Sequence, residues 1–393
     1  MDKHRIGHLI SLITIIAVIL SCQRNLAPLQ PSSENEYQIP PATGDGWPVA
    51  HLVSCRMNPI LLTDMLNFLN SSEHRVHSIL IVKDGCLVFE KYFNGYKFGS
   101  NPPGSDGPYI TYNRDSLHFL ASVSKSVAST LFGIALEGNH DNILQNRILQ
   151  YFPQYSSILI GDKAEITVEH LLTMTPGLTW DENSYPYGDP RNDVTQLFSQ
   201  SDPIRYILEK PLNWFPGSHF HYNSGSTNVI AELTRLISQQ SSWIFAEDYL
   251  FRPLGITHYH WEEIGGSRIF ASGGLYLSPR SLSKIGYIFL NGGKWRGEQI
   301  ISQEWINASI FRHVIHTGNY ESNGYGYQWW LCRYRSGGQY FEGYFAAGWG
   351  GQYMFIFPQQ NLIVNFNSGY YLSSMTVSPI ALLVTYILPS LII

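Results

Sequence analysis

Ser122-Val123-Ser124-Lys125 stands at the head of the apolar run Val127-Ala128-Ser129-Thr130-Leu131-Phe132-Gly133-Ile134-Ala135-Leu136. Such a run reads as a helix buried in a core, and it sets where the rest of the chain must pack. A Ser and a Lys three residues apart lie on one helix face, one turn apart, so the amine reaches the hydroxyl. Serine is a weak nucleophile until a nearby base takes its proton. Lysine serves as that base only when neutral, and burial drives its pKa toward that state. The positive end of the helix opposes the ammonium and favours a developing oxyanion. The segment therefore offers a nucleophile, Ser122, a base, Lys125, and part of an oxyanion site. Ser-x-x-Lys recurs at Ser281-Leu282-Ser283-Lys284, after Ser278-Pro279. That copy reads as the first turn of an amphipathic helix, expected to face solvent in a structural role.

The chain has 393 residues, 44% hydrophobic and 14% charged, enough for a large core and one or two domains. A net charge of -5 without a basic run gives no sign of a phosphate-binding surface, so no nucleic-acid partner is expected. Aromatics make up 14%, with 25 Tyr and 10 Trp, an excess that fits a cleft for organic groups. His219-Phe220-His221 and His258-Tyr259-His260 point one way on a strand, but neither has the further His or Asp of a metal site. No metal or other cofactor is expected. Cys55, Cys86 and Cys332 allow at most one internal disulfide, whose pairing stays open.

Lys3 and Arg5 precede an apolar stretch, Leu9 to Leu20, with the length of a signal-peptide core and short for a membrane span. It ends Ile19-Leu20-Ser21-Cys22, which resembles the bacterial lipobox, whose Cys becomes the lipidated first residue. An ordinary secretory signal or short anchor is the alternative. Gln23, rather than Asp, follows the Cys, which favours the outer membrane. The expected organisation is a lipoprotein-type signal peptide over 1–22, a disordered tether over 23–48 rich in Pro, Ser, Asn and Gln, and a folded domain over 49–393. The body is expected to be exported to the periplasmic face of a bacterial membrane and to touch it by the anchor alone.

Pro59 to Leu69 reads as a helix. Ile79-Leu80-Ile81-Val82 and Cys86-Leu87-Val88-Phe89 flank Lys83-Asp84-Gly85, a hairpin signal. Asn101 to Pro108 reads as a Pro/Gly loop, and Gly138 as the cap that ends the Ser122 helix. From about 140 to 265 the pattern is helical, with helices at Val168 to Met174 and Val229 to Ile237 and a loop at Trp180 to Asn192. Beyond about 268 come Gly-rich loops, an amphipathic helix at Ser281 to Leu290, and a second hairpin of Tyr353 to Phe357 and Leu362 to Phe366. Pro379 to Leu388 reads as a helix packed on a sheet. Strands at both ends around a helical middle predict an α+β fold. One antiparallel sheet would form from the N- and C-terminal parts, flanked by helices, with a helical region inserted and Ser122 in the cleft between.

At this point the chain resembles the serine β-lactamase and penicillin-binding-protein superfamily, which is marked by Ser-x-x-Lys, Ser-Asp-Asn and Lys-Thr-Gly motifs. The branch is that of class C β-lactamases with their esterases, D-aminopeptidases and 6-aminohexanoate-dimer hydrolases. Ser122 and Lys125 match the first motif. Tyr222-Asn223-Ser224, about 100 residues on, fits that branch's Tyr-x-Ser variant of the second. Ala347-Gly348-Trp349-Gly350-Gly351-Gln352 lies where the third is found, just before a strand. Softer family-like stretches run from Thr167 to Leu178, Phe251 to Ile256 and Ala271 to Leu275, so the resemblance spans about 76 to 390.

The resemblance implies a β-lactamase/transpeptidase-like fold and an acyl-enzyme on Ser122. Lys125, Tyr222 or the coupled pair would be the base, and that choice stays open. Tyr222 would pass a proton to the leaving group. Ser224 would hold Lys125 by a hydrogen bond. The backbone N–H groups of Ser122 and Gln352 would form the oxyanion hole, with Trp349, Gly350 and Gly351 shaping the substrate side. Trp349 departs from the family's β-lactamases, which place a cation there to hold a substrate carboxylate. Its apolar face, extended by the nearby Tyr327, Trp329 and Trp330, suits uncharged substrates. The function implied is a serine hydrolase of ester or amide bonds in small molecules. A β-lactamase, a D-alanyl-D-alanine carboxypeptidase or a penicillin-binding sensor is the alternative.

Overall fold

The structure, a computed structural model, describes residues 37–136, 143–316 and 322–391. The first hairpin seeds the main sheet. Strand β1 (Val76–Lys83) turns through Asp84 and Gly85, at φ 52 and 76, into β2 (Cys86–Tyr92). Positive φ at both central residues is the turn that Asp-Gly favours. The C-terminal part adds β3 (Ser322–Tyr325), β4 (Trp330–Ser336), β5 (Gln339–Gly348), β6 (Gln352–Phe357) and β7 (Leu362–Ser368). The spatial order is β3-β4-β5-β6-β7-β1-β2, and every neighbouring pair is antiparallel. The two ends of the chain thus close one sheet through β1 and β7, as their hairpin signals predict.

Helices cover both faces, which is why β6 and β7 are buried at every position, the polar Gln352, Asn365 and Asn367 included. On one face Leu62 and Met65 of α1 (Pro59–Asn70) meet Ile79, Ile81, Phe355 and Val364, with the C-terminal Leu382, Leu383 and Ile387 beside them. On the other, Val127 and Leu131 of α2 (Val123–Leu136) share a core with Leu80, Val82, Met354 and Ile363. Helix α3 (Ser224–Ser238) packs against α2, and α4 (Pro279–Leu290) lies across β6, β7 and β1. The layers set the start of α2 at the boundary between the sheet and the inserted helical region.

Four expectations change. The span Asn101 to Pro108 is not a loop: Pro103–Thr111 is a strand paired with Asn94–Ser100 in a separate, largely exposed ribbon, where Pro and Gly cost little because no second neighbour needs their donors. The expected tether reaches into the domain. Tyr37 donates to Val88 O at 2.9 Å, and Trp47 is 5% exposed with its Nε1 donating to Arg280 O at 3.2 Å. The ordered part therefore begins by Tyr37. The second Ser-x-x-Lys does not face solvent: Lys284 is buried and donates to Leu254 O at 2.9 Å, while Ser278 caps the helix by accepting from Ser281 N at 3.3 Å. Finally, Tyr327 and Trp329 are core residues. Tyr327 donates to Glu169 at 2.6 Å and Trp329 packs on Phe289.

Residues 1–36, with Cys22, and Gly138 lie outside the described residues. Among the described residues no helix is long and apolar enough to cross a membrane. Among them, too, no disulfide joins the buried Cys55, Cys86 and Cys332, and no group of three His, Cys, Asp or Glu could hold a metal.

Candidate active site

Ala121 adopts φ 46, a left-handed backbone that costs a non-glycine residue about 1–3 kcal/mol and is held by its surroundings. Ser122 follows, and α2 begins at Val123. The amides of Val123 and Ser124 bond to Leu120 O and Ala121 O at 3.2 and 3.0 Å. Among the described residues the Ser122 amide has no acceptor in the chain, which leaves a donor at the positive end of α2. Ser122 is half-buried, whereas Lys125 is 2% exposed. Lys125 Nζ lies 2.8 Å from Ser122 Oγ and donates to Ser272 O at 2.8 Å. Burial brings Lys125 from 10.5 down to about 8, against the opposing charge of Glu182. A neutral amine is therefore accessible near pH 8, one turn from the hydroxyl it would deprotonate.

Tyr222 sits on the extended segment that enters α3. The His221 amide donates to Met174 O at 2.8 Å, and the Asn223 side chain caps α3 by accepting from Ser226 N at 3.1 Å. This entry holds the Tyr222 ring 4.8 Å from Lys125 Nζ and stacked on Trp330 at 5.8 Å. Ser122, Lys125 and Tyr222, 100 residues apart in sequence, therefore meet where the starts of α2 and α3 converge. Ser224 lines the cleft beside Ser122, but the bond expected from it to Lys125 is made by the Ser272 carbonyl. The Ser224 amide donates instead to Glu182 Oε2 at 3.0 Å.

The third motif is the turn between β5 and β6. Gly350 and Gly351 stand at φ 85 and 88, and Gly348 lies against the start of α2. A Cβ on Gly348 would overlap Leu120 O and sit 3.1 Å from Ser122 N, so only glycine lets the turn approach the nucleophile so closely. Gln352 is fully buried. Its Nε2 donates to Ser368 O at 2.6 Å and its Oε1 accepts from Asn367 Nδ2 and Ser368 N at 3.2 and 3.3 Å, which fixes the start of β6. Trp349 packs on Tyr187, Tyr371 and Phe98 at ring distances of 4.7, 5.3 and 6.1 Å. Trp330, 2% exposed, borders the same chamber as Trp349.

Ser122, Tyr187 and Trp349 border two chambers. One, about 750 Å³, is walled largely by aromatic and aliphatic side chains, among them Phe98, Phe119, Val194 and Phe270. The other, about 490 Å³, holds Tyr222, Glu182, Asn183, Ser184 and Tyr185. Among the described residues neither is lined by Lys or Arg; their ionisable walls are Glu182, Glu262, Glu263, His260 and the tyrosines. Two contributors escape a reading of the sequence. Ser272 acts through its main-chain carbonyl, which has no side-chain signature. Glu182 is 4% exposed and accepts from Trp180 Nε1 at 2.6 Å; an acid two residues after Trp180 in the predicted loop is the one signal that could have pointed to it.

A family model described as Beta-lactamase matches residues 72–370, and the chain belongs to this family. The 6-aminohexanoate-dimer hydrolase of Paenarthrobacter ureafaciens is 25% identical over 240 residues, 55% of this chain and 58% of that protein. The chain thus spans little more than half the length of that relative. A solved structure from Bacillus anthracis, assigned as a 6-aminohexanoate-dimer hydrolase, superposes with a TM-score of 0.63 at 21% identity, covering 80% of this chain and 77% of that one. A family VIII carboxylesterase superposes with a TM-score of 0.64 at 16% identity, covering 83% and 96%. These structural likenesses establish the β-lactamase/transpeptidase fold, and the chain is related to hydrolases of that fold.

Proposed function

We propose that this protein is a serine hydrolase that cleaves ester or amide bonds of small uncharged molecules through an acyl-enzyme on Ser122. The observation that carries the reading is the buried Lys125 amine 2.8 Å from the half-buried Ser122 hydroxyl. In the first half-reaction Ser122 Oγ bonds to the substrate carbonyl carbon as its proton passes to the Lys125–Tyr222 pair. The carbonyl oxygen takes up the electron pair and is met by the Ser122 amide, with the Gln352 amide as the second donor. The carbon–oxygen or carbon–nitrogen bond then breaks, and the leaving group departs with a proton delivered through the Tyr222 hydroxyl. Water repeats the sequence on the Ser122 ester and frees the acid.

Among the described residues no Lys or Arg lines the cleft walls and Trp349 stands there, which supports uncharged substrates over β-lactams, whose carboxylate needs a partner. A charge-assisted hydrogen bond of that kind is worth about 1.5–3 kcal/mol, or roughly 10- to 100-fold in affinity. Short p-nitrophenyl esters are expected to be turned over with a higher kcat/KM than a cephalosporin, and Trp349→His to narrow the gap. Faster cephalosporin hydrolysis by the wild-type protein would make the β-lactamase reading the better one. A sensor would release product in one burst equal to the enzyme concentration and then stop.

The same proposal places the protein on the periplasmic face of a bacterial membrane, anchored through lipidated Cys22. Cys22→Ala is expected to release the protein or block its processing. An unchanged membrane fraction with unchanged mass would remove the anchor from the proposal.

A further inference from the structure

From the two chambers we infer which half of the substrate each one takes: the larger, aromatic chamber receives a bulky apolar acyl group, and the smaller, polar chamber receives the leaving group. This rests on the hydrolase reading above and adds the direction in which substrate lies. Ser122 borders both chambers, and the Tyr187–Trp349 contact stands between them, so a carbonyl at Ser122 must send one substituent each way. Direction follows from proton delivery. The leaving group must meet the group that protonates it, and Tyr222 borders only the polar chamber. The acyl group is thereby assigned to the other side.

The walls then name its chemistry. Phe98 and Phe119 stack at 4.1 Å in its wall, Phe198 and Phe270 meet at 4.8 Å, and Val194 lines the chamber with them. About 750 Å³ far exceeds what an acetyl group fills. Glu262, whose carboxyl burial pushes upward and Tyr276 contacts at 3.0 Å, and Glu263 are acids in that wall, and among the described residues the one basic side chain lining it is His260, with no Lys or Arg. An anionic acyl group is disfavoured there. The substrate class is therefore an ester or amide of a bulky, apolar, non-anionic acid with a small polar alcohol or amine.

The test compares p-nitrophenyl acetate, 4-phenylbutanoate and succinate on the full chain, which share one leaving group. The 4-phenylbutanoate is expected to exceed acetate in kcat/KM by about tenfold or more, the scale on which apolar pockets discriminate, and succinate is not. Val194→Trp, which fills the chamber, should lower the phenylbutanoate-to-acetate ratio by about tenfold. Phe198→Ala, at a position 51% exposed and so safe for folding, should lower it in the same direction. Asn183→Leu, in the polar chamber, should change discrimination among alcohols released from a common acyl group and leave the acyl ratio alone. Acyl ratios unmoved by Val194→Trp and Phe198→Ala, or moved instead by Asn183→Leu, would overturn the assignment while the hydrolase reading stands. A wild-type protein that cleaves none of the esters would remove both.

Discussion

Lys125 is 2% exposed and in contact with the nucleophile, so its protonation state governs the rate of acylation. Only the neutral amine accepts the Ser122 proton, and burial sets its pKa near 8. The logarithm of kcat/KM is expected to rise with pH and level off above about 8. The Glu182 carboxylate stabilises the ammonium form, so Glu182→Gln should move that rise to lower pH. A purely structural Glu182 would lower the rate without moving the limb. Lys125→Ala and Tyr222→Phe should each cost about 10² or more in rate, and the double variant less than the product, because the two act as a unit. Near-wild-type activity of either single variant would remove that residue from the mechanism. At this scale the sequence discloses side chains that carry chemistry in a recognisable spacing, as Ser122, Lys125 and Tyr222 do. It does not disclose a main-chain acceptor such as Ser272, and it gives Ser224 a bond that the folded chain makes elsewhere.

At the scale of elements, the site depends on three termini converging: the start of α2, the entry to α3 and the β5–β6 turn. Gly348 is the point of closest approach, where a side chain would overlap Leu120 O. Gly348→Ala should push the turn away from Ser122 and cost about 10²-fold in kcat, the order that losing one oxyanion donor costs. Circular dichroism should show an unchanged fold, and an unchanged kcat would show that the turn takes no part. Elements with a strong periodic or turn signal, such as α1, the Asp84-Gly85 hairpin and the β6–β7 pair, are legible in the sequence. The ribbon of Asn94–Ser100 and Pro103–Thr111 is not, because its Pro- and Gly-rich strands are shaped by pairing with each other rather than by a buried face. The depth of Lys284 is likewise set by what packs over α4, which no local pattern reports.

Across the whole molecule, the sheet closes between chain ends nearly 300 residues apart, and the α+β plan is readable from strands flanking a helical middle. His77 of β1 and His118, four residues before the nucleophile, form a buried imidazole pair. Nδ1 of His77 and Nε2 of His118 are 2.9 Å apart, and His118 Nδ1 is 3.0 Å from Phe119 O. Burial lowers both, His118 to about 4, with His118, then Arg75 and His74, adding to the effect at His77. Their unfolded forms bind protons near pH 6.5, so acid favours the unfolded chain. The stability they contribute is full above about 6.5 and is lost as pH falls, toward about 4 for His118 and lower still for His77. The melting temperature should therefore fall between pH 7 and pH 5, and His118→Gln should flatten that dependence. An equally steep fall in the variant would assign the acid sensitivity to other groups.

The central claim is an acyl-enzyme on Ser122, and mass spectrometry of the intact protein tests it most directly. Treatment with a fluorophosphonate should add one label, peptide mapping should place it on Ser122, and Ser122→Ala should take up none. A label on Ser281 or any other residue, or undiminished labelling and ester turnover in Ser122→Ala, would contradict the account.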